Sequence, residues 1–149
     1  MSSLNERLEQ AFKEALKSQQ AVALSTLRML KTAVRHKEVE LKRPLAEDEL
    51  QAVISNQAKQ RREAMAEYAK AGRPDLAKKE EEELQVLLSF LPPQLNPEAC
   101  EAELARIIQE VGASGPKDLG KVMKAAMARL AGQADGKVIQ EIAKRRLSA

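Results

Sequence analysis

Leu91-Pro92-Pro93-Gln94-Leu95-Asn96-Pro97 lies near the middle of a chain whose other segments carry helical periodicity, and it cannot itself be helical. Two adjacent prolines remove two backbone donors and push the preceding residues out of the α region, so the helix arriving at Phe90 must stop. Asn96 is a preferred N-cap and Pro97 suits a first helical position, so a new helix starts there. The stretch predicts a stiff joint between an N-terminal bundle over residues 1–91 and a C-terminal unit over residues 92–149.

The flanking segments predict helices throughout and give no strand signal. Leu4, Leu8, Phe12 and Ala15 form one helical stripe, and a second helix from about Gln20 to Lys42 turns Leu27, Leu30, Val34 and Leu41 inward. Beside that stripe, Arg28, Lys31, Arg35 and Lys42 share a neighbouring face. A third helix begins near Glu47-Asp48-Glu49, whose charges complement its dipole, and its apolar face is interrupted by Gln57 and Arg61. Gly72 ends it and Pro74 starts a fourth, in which Lys78 to Glu83 reads as a solvated face or a projecting helix. Past the joint, Cys100, Leu104, Ile107, Ile108 and Val111 mark a fifth helix. A sixth, from Lys117 to Leu130, groups Leu119, Val122, Met123, Ala126 and Leu130 opposite Lys117, Lys121 and Lys124. Gly120 interrupts that helix at a cost of roughly 1 kcal/mol relative to Ala, which predicts a close helix crossing or close approach to a ligand backbone. Asp135 caps a seventh helix with Val138, Ile139, Ile142, Ala143 and Leu147 inward. The expected class is all-α: a long-helix bundle followed by a three-helix tail domain.

Aromatic residues make up 2% of the 149 residues and charged residues 32%, the profile of a helical protein with much exposed charge. Net charge is only +3, but from Lys117 onward eight Lys/Arg face three acids, Asp118, Asp135 and Glu141. One cysteine, no signal-like N-terminus and no membrane-length apolar run predict a cytoplasmic protein without membrane association. Catalytic chemistry finds no constellation. His36 has no second ligand one turn away, Cys100 has no histidine in its half, and the glycine turns lack the spacing and preceding strand of phosphate loops. No metal or other cofactor is expected. The lines of cations suit a phosphate backbone; the alternative is that they are simply the polar faces every amphipathic helix turns outward, since Lys and Arg are good helix formers. If a nucleic acid binds, the scarcity of aromatics favours a folded RNA read by shape over stacked single strands.

The chain resembles the YqeY-like family, and through it the helical tail region of the B subunit of the glutamine-dependent aspartyl/glutamyl-tRNA amidotransferase. The likeness rests on Leu27-Arg28-Met29-Leu30-Lys31 with Glu38, on Lys59-Gln60-Arg61-Arg62, on Ala71-Gly72-Arg73 with Asp75-Leu76, and on Leu91-Pro92 with Gln94-Leu95. It continues through Gly112-Ala113-Ser114, Asp118, Gly120-Lys121-Val122-Met123 and Gly132 to Asp135-Gly136. The chain departs at Ala64, Phe90 and Leu119, where the family favours Ser, Tyr and Met. The resemblance implies a tRNA-binding module, with Lys117, Lys121, Lys124 and Gly120 facing the RNA first and Arg28, Lys31, Arg62 and Arg73 second; Arg35 joins these candidates from the cation stripe of the second helix. It also implies the family label, carbon-nitrogen ligase activity with glutamine as amido-nitrogen donor, although the catalytic cradle is absent and no amidation is expected of this chain alone. Amidotransferase subunits are expected partners under that reading. The alternative is a helical adaptor that docks on another protein through the Lys78 to Glu83 run.

Overall fold

The computed structural model describes residues 3–149. Among these, seven α-helices and one 3₁₀ turn account for the regular structure: α1 (Leu4–Lys17), α2 (Ala21–Leu41), α3 (Glu47–Lys70), α4 (Pro74–Leu88), α5 (Pro97–Val111), the 3₁₀ turn (Pro116–Asp118), α6 (Leu119–Leu130) and α7 (Gly136–Ser148). None of the helices is long and apolar enough to cross a membrane. By internal contacts the chain divides into two compact units, Met1–Pro92 and Pro93–Ala149.

In the first unit, the period-3.6 stripes converge on one core that includes Leu8, Leu27, Leu30, Ile54, Ala58, Leu84 and Leu87. Ser3 caps α1, its hydroxyl accepting the Glu6 N–H while the Glu6 carboxylate accepts the Ser3 N–H. The α2–α3 corner is held by side chains reaching backwards and forwards. Leu45 N–H donates to Glu38 and Ala46 N–H donates to Glu49, while Arg43 forms a two-pronged pair with Glu49 at 2.6 and 2.9 Å. Gly72 adopts φ +69 just beyond α3, the left-handed conformation that lets the chain reverse without a Cβ clash.

The expected solvated or projecting run at Lys78–Glu83 is corrected here. Helix α4 packs along α3, and Arg61 is 8% exposed and Glu83 6% exposed between them. Arg61 Nε lies 3.0 Å from Glu83 Oε2 and 3.6 Å from Glu80 Oε2. A buried guanidinium needs a carboxylate against the desolvation it suffers, so only Lys78, Lys79, Glu81 and Glu82 of the run stay exposed.

The second unit folds around Cys100, Leu104, Ile107, Val122, Ala126, Leu130, Ile139, Ala143 and Leu147. Asn96 caps α5 by accepting the Ala99 N–H at 2.8 Å, and Asp135 caps α7 by accepting the Lys137 N–H at 3.0 Å. The proline joint is anchored on this side by Leu95 N–H donating to Gln133 O at 2.9 Å and Gln94 Nε2 donating to Gly132 O at 2.6 Å. Val138 departs from expectation: it is 39% exposed. It shares its azimuth with Arg145 seven residues later, and both line a shallow open groove rather than the core.

Candidate nucleic-acid interface

The loop from Gly112 into α6 is built by its backbone. Gly112 takes φ +69 at the end of α5, and Ala113 N–H then closes onto Ile108 O at 3.1 Å, the pattern that terminates a helix on a left-handed residue. Four residues on, the Asp118 carboxylate accepts the Ser114 N–H at 2.9 Å. That hydrogen bond leads the causes that hold the Asp118 carboxyl below its usual range, followed by the Gly115 N–H and the charges of Lys117 and Lys121. Asp118 therefore stays ionised and fixes the loop from which the lysine stripe departs.

Lys117 belongs to the 3₁₀ turn and not to α6, a correction to the expected helix start: Pro116 opens the tighter turn and α6 begins at Leu119. Lys121 and Lys124 project from α6 on the side away from Val122, Ala126 and Leu130, and all three lysines are exposed. Gly120 is also exposed, and a Cβ built there meets no atom within 4 Å. The expected close crossing of Gly120 with another helix is thus absent among the described residues.

The basic surplus of the second unit sorts by residue type. Each of its arginines faces an acid: Arg106 pairs with Glu103 at 3.1 Å, Arg129 with Glu110, and both Arg145 and Arg146 with Glu101, the last at 2.7 Å. Glu110 is held below its ordinary value chiefly by its hydrogen bond from Arg129, whose own value is raised by the same contact. Its lysines, Lys117, Lys121, Lys124, Lys137 and Lys144, form no ion pair with any described residue. Guanidinium forks suit planar bidentate pairing within the fold, whereas ammonium groups remain compact, mobile point charges.

In the first unit the expected cations separate. Arg28 and Arg35 are exposed and form no ion pair among the described residues. Lys31 lies 3.0 Å from Glu9 and sits over the Phe12 ring at 4.2 Å from its centroid, so much of its charge is already used. Arg73 grips Asp75 through two bonds at 3.2 and 3.1 Å, which leads the lowering of the Asp75 carboxyl. Arg62 is half-buried. His36 is exposed, as its polar neighbours predict, and Cys100 is buried with its thiol pushed up by desolvation, the state of a core residue and not of a thiolate. Among the described residues no group of three His, Cys, Asp or Glu side chains comes together to hold a metal.

The residues that the sequence reading missed are Glu80 and Glu83. A signal existed: Glu80 and Glu83 stand three apart, with Glu80 four residues after Leu76 and Glu83 four before Leu87, and Arg61 stands three residues after the core residue Ala58.

The chain is 32% identical over 79 residues, 53% of its length, to a Schizosaccharomyces pombe protein described as uncharacterized. Two proteins named altered inheritance of mitochondria protein 41, mitochondrial, are also similar. The one from Vanderwaltozyma polyspora is 25% identical over 70% of this chain, and the one from Eremothecium gossypii is 31% identical over 56%. The chain spans 64%, 58% and 46% of these three relatives' own lengths. The sequence model of the family described as Yqey-like protein matches residues 5–147, nearly the whole chain, and the protein belongs to that family.

Proposed function

We propose that this protein is a tRNA-binding helical module that holds folded RNA through its phosphates and has no catalytic site of its own. The observation that supports this reading best is the division of labour among its cations. Arginines of the second unit are spent on acids within it, while Lys117, Lys121 and Lys124 stand exposed at the end of a loop fixed by Asp118. Point charges free of internal pairing gain most by displacing counterions from a phosphate backbone, and they confer affinity without reading bases. Open space around Gly120 adds room for a sugar-phosphate strand beside Lys121. Arg28 and Arg35 are the first unit's exposed contributors without an ion pair among the described residues, whereas Lys31 and Arg73 would first have to leave Glu9 and Asp75. Under the family label, amidation would require added catalytic subunits, and the cytoplasm is the compartment this reading proposes.

Fluorescence anisotropy with labelled, folded tRNA tests the reading. The parent binds, Lys117→Glu/Lys121→Glu/Lys124→Glu does not, and Arg129→Ala binds like the parent, because Arg129 is engaged with Glu110. Equal loss in both variants, or parental failure to bind at low salt, contradicts it.

A further inference from the structure

Asp118 sits among cations and pairs with none of them. It is half-buried at the head of α6, and Lys117 and Lys121 stand near enough to contribute to the lowering of its carboxyl. No described lysine forms an ion pair with it. The carboxylate is spent on the backbone instead. The Ser114 N–H donates to it at 2.9 Å, and the Asp118 N–H donates to Gly115 O at 2.9 Å. The segment closed in this way is pinned on both flanks, since Ala113 and Leu119 pack on the core of the second unit and the 3₁₀ turn packs against α7. Lys117 lies exposed between those anchors. The carboxylate thus has two opposed effects on an anion held by the lysines. As a charge it repels the anion, weakly, because exposed charges interact through water and salt. As an acceptor it holds the backbone that presents Lys117, which spares the bound state the larger cost of ordering a loop segment.

We infer that Asp118 is a positioning residue that gives the lysine stripe its selectivity for a rigid phosphate array, such as a folded RNA, over a flexible polyanion. The inference rests on the RNA-binding reading above. Phosphates of a folded RNA are fixed in space and gain from a cation whose backbone is also fixed. A flexible chain of phosphates adapts to lysines wherever they stand and responds only to their number and to the net charge around them. An acid beside the stripe therefore favours the rigid ligand while opposing the flexible one.

Two variants of the full chain separate charge from position. Asp118→Asn and Asp118→Ala carry the same net charge, and only the first keeps a side-chain acceptor for the Ser114 N–H. In fluorescence anisotropy with labelled, folded tRNA, Asp118→Asn binds at least as tightly as the parent, because the repulsion is gone and the loop is kept. Asp118→Ala binds about fivefold more weakly than Asp118→Asn, against the sign that its gain in positive charge alone would give. Long-chain inorganic polyphosphate, followed by calorimetry, binds the two variants equally and both more tightly than the parent. Asn96→Ala removes a cap elsewhere in the second unit and keeps parental tRNA affinity, so lost stability does not account for the effect. Equal tRNA affinity of the two Asp118 variants, the same fivefold difference with polyphosphate, or weakened tRNA binding by Asn96→Ala overturns this inference and leaves the RNA-binding reading standing. Failure of the parent to bind tRNA at low salt overturns both.

Discussion

Individual side chains decide where helices begin and how firmly corners hold. Asn96 satisfies one of the donors that every helix start leaves open. Asn96→Ala should therefore cost about 1 kcal/mol of stability in denaturant unfolding, and no loss would show that the two prolines alone set the start of α5. Glu49 offers a pH readout. Its hydrogen bonds from Arg43 and then from the Ala46 N–H lower its carboxyl from 4.5 to about 2. A carboxyl whose folded value is depressed contributes stability above its unfolded value and loses it as pH falls. The contribution is thus complete above about pH 4.5 and fades towards pH 2. Arg43→Ala should raise the Glu49 midpoint in an NMR titration and flatten the fall in melting temperature over that window; an unmoved midpoint would exclude Arg43 as the main cause. These caps were legible in the sequence because capping is local: Asn96, Asp135 and Gly72 each act within a few residues of themselves. Gly120 was legible only as an anomaly. Its cost to α6 is plain from sequence, but the open space around it depends on where other helices lie.

At the scale of elements, the α3–α4 pair rests on a charge buried between apolar stripes. Arg61 neutralises only one of the two carboxylates that face it, Glu80 and Glu83. Removing it leaves charge buried without a partner, so Arg61→Met should destabilise the fold by about 3–5 kcal/mol. Arg61→Met/Glu80→Leu/Glu83→Leu should recover most of the loss, since apolar groups of similar volume replace a buried ion cluster at little cost. Urea unfolding of both variants distinguishes this from mere loss of volume, for which the triple variant would gain nothing over the single one. Periodicity placed Arg61 on the apolar face yet could not name its partners. The same holds for Arg129 with Glu110 and Arg146 with Glu101, pairs separated by 19 and 45 residues. Such pairs are set by which helix packs on which, and the sequence carries no local mark of them. Phe90 shows the same limit. Its place before the prolines is read directly, but its burial and the stacking of Arg7 over its ring at 5.8 Å are properties of the folded unit.

For the whole molecule, the all-α class was readable because every apolar stripe recurs at helical spacing, and the family followed from many short motifs in one order. The candidate interface was readable only in part. Sequence singled out lines of cations, whereas the fold sorts them into those already paired and those available, retaining Lys117, Lys121, Lys124, Arg28 and Arg35 and engaging Lys31 and Arg73 elsewhere. That sorting makes the RNA-binding reading quantitative. Phosphates neutralised by unpaired lysines release counterions in proportion to their number, so the salt dependence of binding counts the contacts. The most direct measurement is the slope of log affinity for folded tRNA against log salt for the parent and for Lys117→Gln/Lys121→Gln/Lys124→Gln. The account predicts a shallower slope in the variant by roughly two to three units, with helicity and melting temperature unchanged. A slope identical in the two proteins would mean that these lysines do not touch phosphate, and would contradict the central claim.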